Sequence, residues 1–255
     1  MKRDKWQVTS DRTNSAASGT GSIRNLQFAI RNFAGFTLIE LLIVISIIAL
    51  LAAFTVPVMH QLKRTEYINK TKAEMAKLET AIDSYKATHG FYPPNNPANP
   101  GSPLINPLYF ELLGTTNNNS VYYTLDGTAN ISAVSPPAAT DIQKAFGVSG
   151  FINCTKGSGE DAVVAKNFLP DLSSRQIGQN VTNNGIPTTL LLASVGGPDA
   201  TYKPLGVSGL NPWRYVCPGT NNPASYDLWV DLSIGGQTNL ICNWTKEVQK
   251  NTTLP

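Results

Sequence analysis

The chain has 255 residues, enough for one good-sized domain or two small ones and for a real hydrophobic core. Its net charge of +3 suggests a basic protein, but Lys2, Arg3, Lys5, Arg12, Arg24 and Arg31 against Asp4 and Asp11 put +4 into the first 35 residues and leave about −1 for the rest. A nucleic-acid binder needs its basic charge on the folded domain, so this distribution argues against that class.

Charged residues make up only 15% of the chain, and Asn, Ser, Thr, Gly and Pro are abundant after position 93, which reads as a loop-rich, extracytoplasmic surface. Three cysteines, Cys154, Cys217 and Cys242, allow one disulfide with one thiol left over, and their spacing matches no zinc pattern.

Residues 1–35 are polar and basic, with Ser15, Ser18, Gly19, Gly21 and Ser22 in a run that has no periodic apolar face. From Phe36 to Met59 the chain carries a single charge, Glu40, and is long enough to cross a bilayer as a helix. With basic residues before it and a nearly neutral chain after it, the positive-inside rule predicts a cytoplasmic N-terminus and an outer C-terminal domain.

Residues 60–90 keep a helical pattern. Ile68, Met75 and Ile82 recur at sevens, and Leu78 and Tyr85 follow the last two by three, giving an a/d stripe that should face a domain. Lys63, Arg64, Glu66, Lys70, Lys72, Glu74 and Lys77 are expected mostly in water. Gly90 should end the helix, and Pro93 and Pro94 cannot continue it.

Asn95 to Pro107 reads as a loop and LYFELLG as a short helix or turn. Between Gly114 and Gly209 the pattern predicts short helices at Asp141–Phe146 and Asp161–Phe168 and a strand at Thr188–Val195. At the C-terminal end Trp213–Cys217, Tyr226–Leu232 and Thr238–Trp244 are β-rich runs separated by turn residues, an antiparallel meander over 213–244. In the middle run Tyr226, Leu228, Val230 and Leu232 alternate with Asp227, Trp229 and Asp231, which predicts one core face and one solvated face. Cys217 and Cys242 then lie on outer strands, two spacings or roughly 9–10 Å apart, too far for a disulfide. Any bridge should involve Cys154.

The segment GFTLIELLIVISIIALLAAFTVP resembles the prepilin-type cleavage and methylation segment of type IV pilins and type II secretion pseudopilins. The resemblance implies cleavage after Gly35, N-methylation of the new terminus Phe36, an assembly role for Glu40 and a helix-weakening role for Pro57. It implies a prepilin peptidase as processing partner, self-association into a homopolymer, and minor pseudopilins with an inner-membrane assembly platform. It also implies membrane lipid around the helix before assembly, and no nucleic acid. The implied location is a single pass of the inner membrane with a periplasmic domain, built into a periplasmic pseudopilus.

FYPP at 91–94, NPWRYVCPG and SYDLWVDLSIGG are similar to the pattern of major, G-type secretion pseudopilins, whereas 114–209 is an extension without a counterpart there. Those pseudopilins often bind calcium in an acidic C-terminal loop. Here Ser233 to Gln237 has no carboxylate and only Asp231 is close, so that site is not carried over and no cofactor is expected.

The expected organisation is a removed leader at 1–35, a membrane and assembly helix at 36–59, its amphipathic half at 60–90 and a globular domain at 91–255. The fold class is α+β, with the long helix on an antiparallel sheet. Two other functions are weighed against the same residues: a type IV pilus subunit for adhesion, motility or DNA uptake, and a membrane-tethered enzyme. His60, His89 and the Asp227/Asp231 pair are the only material for the enzyme, and no Gly-x-Ser-x-Gly, HExxH or phosphate loop accompanies them. A conventional signal peptide is disfavoured by the length of the apolar run and by Glu40.

Overall fold

The computed structural model describes residues 35–97, 103–132, 141–157, 162–183, 185–195, 199 and 201–250, with backbone only at 54–60 and 180. The leader at 1–34, the middle of the loop at 98–102 and the start of the expected helix at Asp161 lie outside the described residues. The chain forms two units, one ending at Ala52 and the other starting at Ala53.

Helix α1 spans Leu38–His89. Its last turn closes as expected: the Gly90 N–H donates to the Lys86 carbonyl at 2.7 Å, and Gly90 takes φ of 86°, a left-handed conformation that glycine adopts without steric cost. Within the second unit the predicted stripe is the buried face. Leu78, Ala81, Ile82 and Tyr85 are fully in the core, while Ile68 and Met75 pack against it half-buried. Of the charges assigned to water, Lys63, Glu66, Lys70 and Lys77 are exposed. Glu74 is not: it is buried, because it takes hydrogen bonds from the backbone N–H and the hydroxyl of Ser194. Arg64 donates to Asn239 at 2.6 Å and the Lys72 ammonium to the Lys246 carbonyl at 2.9 Å, so polar contacts also fasten the helix to the C-terminal strands.

LYFELL forms α2 (Leu108–Leu113), every residue of it buried. Strands β1 (Thr115–Asn118), β2 (Val121–Thr124) and β3 (Asn130–Ser132) follow, then α3 (Asp141–Phe146) and the short β4 (Cys154–Thr155). They build a sheet of order β3-β2-β1-β4 in which β4 runs parallel to β1, so this sheet is mixed. Strands β5 (Ile177–Asn183) and β6 (Ile186–Leu191) form a separate hairpin. The helix at Asp141–Phe146 matches expectation, whereas the strand expected at Thr188–Val195 starts earlier, at Ile186, and ends at Leu191, with only an isolated bridge at Leu192 beyond it. The expected helix at Asp161–Phe168 is corrected: residues 162–168 are irregular, and Val163 makes a bridge with Lys156. The extension is not a separate body, since Phe110, Phe146, Phe151 and Leu190 belong to the same core cluster as Ile82 and Val230.

The C-terminal sheet comprises β7 (Arg214–Val216), β8 (Asp227–Ile234), β9 (Gln237–Cys242) and β10 (Thr245–Lys250), all antiparallel in the order β10-β9-β8-β7. The meander is therefore as expected with one strand more; β10 is rich in Lys, Glu and Gln and lacks the apolar alternation that betrays a strand. Leu228, Val230 and Leu232 face the α1 stripe as predicted. The solvated outer face is a second correction. Asp227, Trp229 and Asp231 are all buried, because Trp229, Leu240 and Cys242 form a small second cluster flanked by Val216 and Trp244, and both aspartates have partners.

All three cysteines are free, with Cys154 and Cys242 buried and Cys217 half-buried. Strand β8 separates the Cys217 end of β7 from Cys242 on β9, as the predicted strand order required. Thiol titration of the unfolded protein is expected to count three reactive groups, and a Cys217–Cys242 peptide in a non-reducing digest would contradict this sheet order.

Candidate functional site

The first unit presents an unusual surface. Every described side chain from Phe36 to Ala53 is exposed, including Phe36 at 78% and Leu38 at 81%. A helix apolar on all sides is stable only when something covers it, whether lipid or other helices. Among the described residues no helix is long and apolar enough to cross a membrane. The expected span at 36–59 also includes side chains at 54–59 that lie outside the described residues.

At the start of this helix the chain builds a capping box. Thr37 precedes Leu38 as N-cap, and Glu40 is the third helical residue. The Glu40 Oε2 accepts from the Thr37 N–H at 2.8 Å and from its hydroxyl at 2.6 Å, while the Glu40 N–H donates to Thr37 Oγ1 at 3.3 Å. The carboxylate also lies where the positive end of the helix dipole favours it. Thr-x-x-Glu is a readable signature, so Thr37 is a site residue that sequence reasoning missed although the signal was present. Among the described residues no atom lies within 4 Å of where a Cβ on Gly35 would stand, so on that side its backbone is open to approach. Gly35, Phe36, Thr37 and Glu40 thus sit together, whereas Pro57 lies within α1 with its side chain outside the described residues.

The candidates for catalysis are engaged elsewhere. Asp227 accepts from the N–H groups of Asn221 at 2.7 Å and Asn222 at 3.0 Å, organising the loop before β8. Asp231 pairs with Arg214 at 3.1 Å, and burial nonetheless holds its carboxyl above the ordinary range, with Arg214 opposing that shift. His89 packs at a tilt of 44° against Tyr85 with ring centroids 4.4 Å apart, and burial, aided by Lys156, lowers its basicity. His60 lies outside the residues with described side chains. Among the described residues no three His, Cys, Asp or Glu side chains gather as a metal site.

Two carboxylates, the buried Glu111 and the half-buried Asp199, act as fasteners. Glu111 on α2 accepts from the Tyr85 hydroxyl at 2.9 Å and the N–H groups of Ile152 at 2.9 Å and Asn153 at 3.0 Å, joining α1, α2 and the approach to β4. Burial outweighs these donors and raises its pKa. Asp199 enters the β8–β9 turn from outside it, accepting from the Ser233 hydroxyl at 2.9 Å and from the N–H groups of Gly235 at 2.9 Å and Gly236 at 2.8 Å. The expectation that this turn has only Asp231 near it is corrected, since a carboxylate 34 residues before Ser233 is brought in by the fold. Calcium takes about six to eight oxygen ligands. Among the described residues this turn offers a single carboxylate whose oxygens already receive N–H and O–H donors, a set that does not fit the ion.

The prokaryotic N-terminal methylation motif matches residues 30–56. The chain is 38% identical over 69 residues to the type IV major pilin protein PilE1 of Neisseria gonorrhoeae, covering 27% of this chain and 32% of that one. It is 39% identical over 84 residues to the fimbrial protein EcpB of Eikenella corrodens, 33% of this chain and 52% of that one. It is 36% identical over 63 residues to the type II secretion system core protein G of Vibrio cholerae, 25% of this chain and 43% of that one. The chain therefore spans about half or less of the length of these curated relatives. No solved structure matches. The chain is pilin-like, carries the prokaryotic N-terminal methylation motif and resembles the type II secretion core protein G.

Proposed function

We propose that the chain is a structural subunit of a type II secretion pseudopilus, polymerising through its N-terminal helix to support protein export. The observation that carries this reading is the helix start itself: an open Gly35–Phe36 junction, a single carboxylate at Glu40, and apolar side chains exposed on every side. Before assembly, lipid covers that surface, with the chain as a single pass of the inner membrane, N-terminus in the cytoplasm and domain in the periplasm. In the polymer, neighbouring copies cover it. The partners are a prepilin peptidase, further copies of this chain, minor pseudopilins and the inner-membrane assembly platform. Pro57 removes one hydrogen bond of α1 and lets the two halves of the helix adopt different angles in the filament. No nucleic acid, metal or catalytic step is invoked.

A second reading, a surface type IV pilus subunit, is favoured by the pilin and fimbrial relatives, whose identity is similar to that of core protein G. The two separate on machinery. Filaments that vanish when the host's secretion ATPase is deleted support the pseudopilus, and filaments that vanish only with a pilus assembly ATPase support the pilus.

Processing gives a direct check. The mature protein is expected to begin at N-methylated Phe36 by intact mass and N-terminal sequencing. Gly35→Leu should leave the precursor inserted but uncut, because the side chain blocks close approach to the backbone. A mature form that retains residues 1–35, or one that starts after Ala53, would sink the prepilin reading.

A further inference from the structure

The β8–β9 turn is built as an anion-binding corner. Gly235 and Gly236 have φ of 61° and 75°, the two central positions of a two-residue hairpin that needs φ > 0 at both. Glycine meets that requirement without strain, and the turn aims both amides to one side, where they act as a small anion nest. The occupant belongs to the chain. Asp199 Oδ1 accepts from the Gly235 N–H, and Oδ2 accepts from the Gly236 N–H and the Ser233 hydroxyl. The Asp199 N–H returns a bond to the Ser233 carbonyl at 3.1 Å, and its own carbonyl accepts from the Tyr202 N–H at 2.9 Å. The Tyr202 hydroxyl then meets the buried Arg214 at 2.7 Å, so the segment is tied to β7 as well as to the turn. A divalent cation would need oxygens aimed inward at this point, whereas the turn aims hydrogens inward.

We propose that Asp199 is an internal counter-anion that closes the β8–β9 corner without a divalent cation, so that the C-terminal sheet of this chain folds and holds independently of calcium. The inference goes beyond the filament reading and stands whether the polymer is a pseudopilus or a pilus.

The test is thermal unfolding of the full chain in detergent micelles, in EGTA and in millimolar calcium chloride. Wild type is expected to melt at one temperature in both. Asp199→Ala should melt roughly 3–8 °C lower, the loss of charge-assisted hydrogen bonds spread over a domain of this size. Added sodium formate should recover part of that loss for Asp199→Ala and none for wild type, since formate fits the vacated nest. Asp199→Asn, which keeps the shape, guards against misfolding of the alanine variant and should shift the Gly235 and Gly236 amide proton resonances upfield. A saturable rise in wild-type melting temperature with calcium overturns the proposal, whether or not Asp199→Asn abolishes it. An Asp199→Ala protein as stable as wild type, or unchanged glycine amide resonances in Asp199→Asn, overturns it as well.

Discussion

Glu40→Val is expected to give a chain that inserts and is trimmed normally but accumulates as membrane-held monomer, with few or no filaments in electron micrographs. Insertion survives because the carboxylate's presence is the cost. An Asp-like charge at a helix centre costs roughly 2.5–3.5 kcal/mol, whereas each Leu, Ile, Val or Phe contributes about −0.3 to −0.6 kcal/mol, and the run from Phe36 to Ala53 is rich in them. Assembly fails because apolar helices alone have no preferred register in lipid, which covers their surfaces nearly as well as a neighbour does. In the proposed filament, that register would come from the Glu40 carboxylate facing the new Phe36 amine of an adjacent subunit. Removing one partner leaves the other charge unpaired where water is scarce.

The capping box adds a second consequence of the same substitution. Glu40 also holds the Thr37 N–H and hydroxyl, so the substitution removes one half of the capping box as well. Glu40→Gln separates the two effects, since an amide oxygen can still accept from Thr37 but carries no charge. Failure of both variants to polymerise assigns register to the charge. Wild-type filament yield from Glu40→Gln would assign the residue to capping and leave register to the rest of the helix and the outer domain.

The helix and the C-terminal sheet were legible for a common reason: their signals are local and periodic. Ile68, Met75, Leu78, Ile82 and Tyr85 declare a buried helix face by spacing alone, and Gly90 followed by Pro93 and Pro94 declares its end. The alternation in Tyr226–Leu232 declares a strand. What it could not declare is that both faces are covered. Asp227 and Asp231 look solvated because burial of a carboxylate depends on partners such as Asn221, Asn222 and Arg214, which are set by loop and strand pairing and not by spacing along one strand. Asp199 and Glu111 were invisible in the same way, each serving backbone donors from a distant segment. The helix expected at Asp161–Phe168 failed because AVVAKNF has weak periodicity, and Val163 bridges with Lys156 while the Lys166 N–H is taken by the Asn153 side chain.

Arg214→Met is expected to cost about 3–5 kcal/mol of folding stability, a fall in melting temperature of roughly 6–20 °C for a domain of this size. The Arg214 and Asp231 side chains are 4% and 0% exposed, with nitrogen and oxygen 3.1 Å apart, so neither can turn to water when its partner is lost. The guanidinium also donates to the Tyr202 hydroxyl, and among the described residues Asp231 Oδ1 has no hydrogen-bond partner to share the load. Most of the cost is therefore the stranded carboxylate, which gives the loss a characteristic pH dependence. Burial already raises the folded pKa of Asp231 above its ordinary value against the pull of Arg214, and removing the arginine raises it further. A raised carboxyl pKa means the folded state holds its proton longer than the unfolded state, so its contribution is full below the unfolded pKa and is lost as pH rises through the folded one. The Arg214→Met deficit should accordingly be smaller at pH 4, where the carboxyl of the unfolded chain is already about half protonated, than above pH 7, where it is fully ionised. Arg214→Met combined with Asp231→Leu removes the stranded charge and should return close to wild-type stability, since replacing a buried ion pair by apolar side chains is often neutral or better. A deficit under about 1 kcal/mol, or one equal at pH 4 and pH 8, would mean that water reaches Asp231 and that the outer face of β8 is more open than its burial indicates.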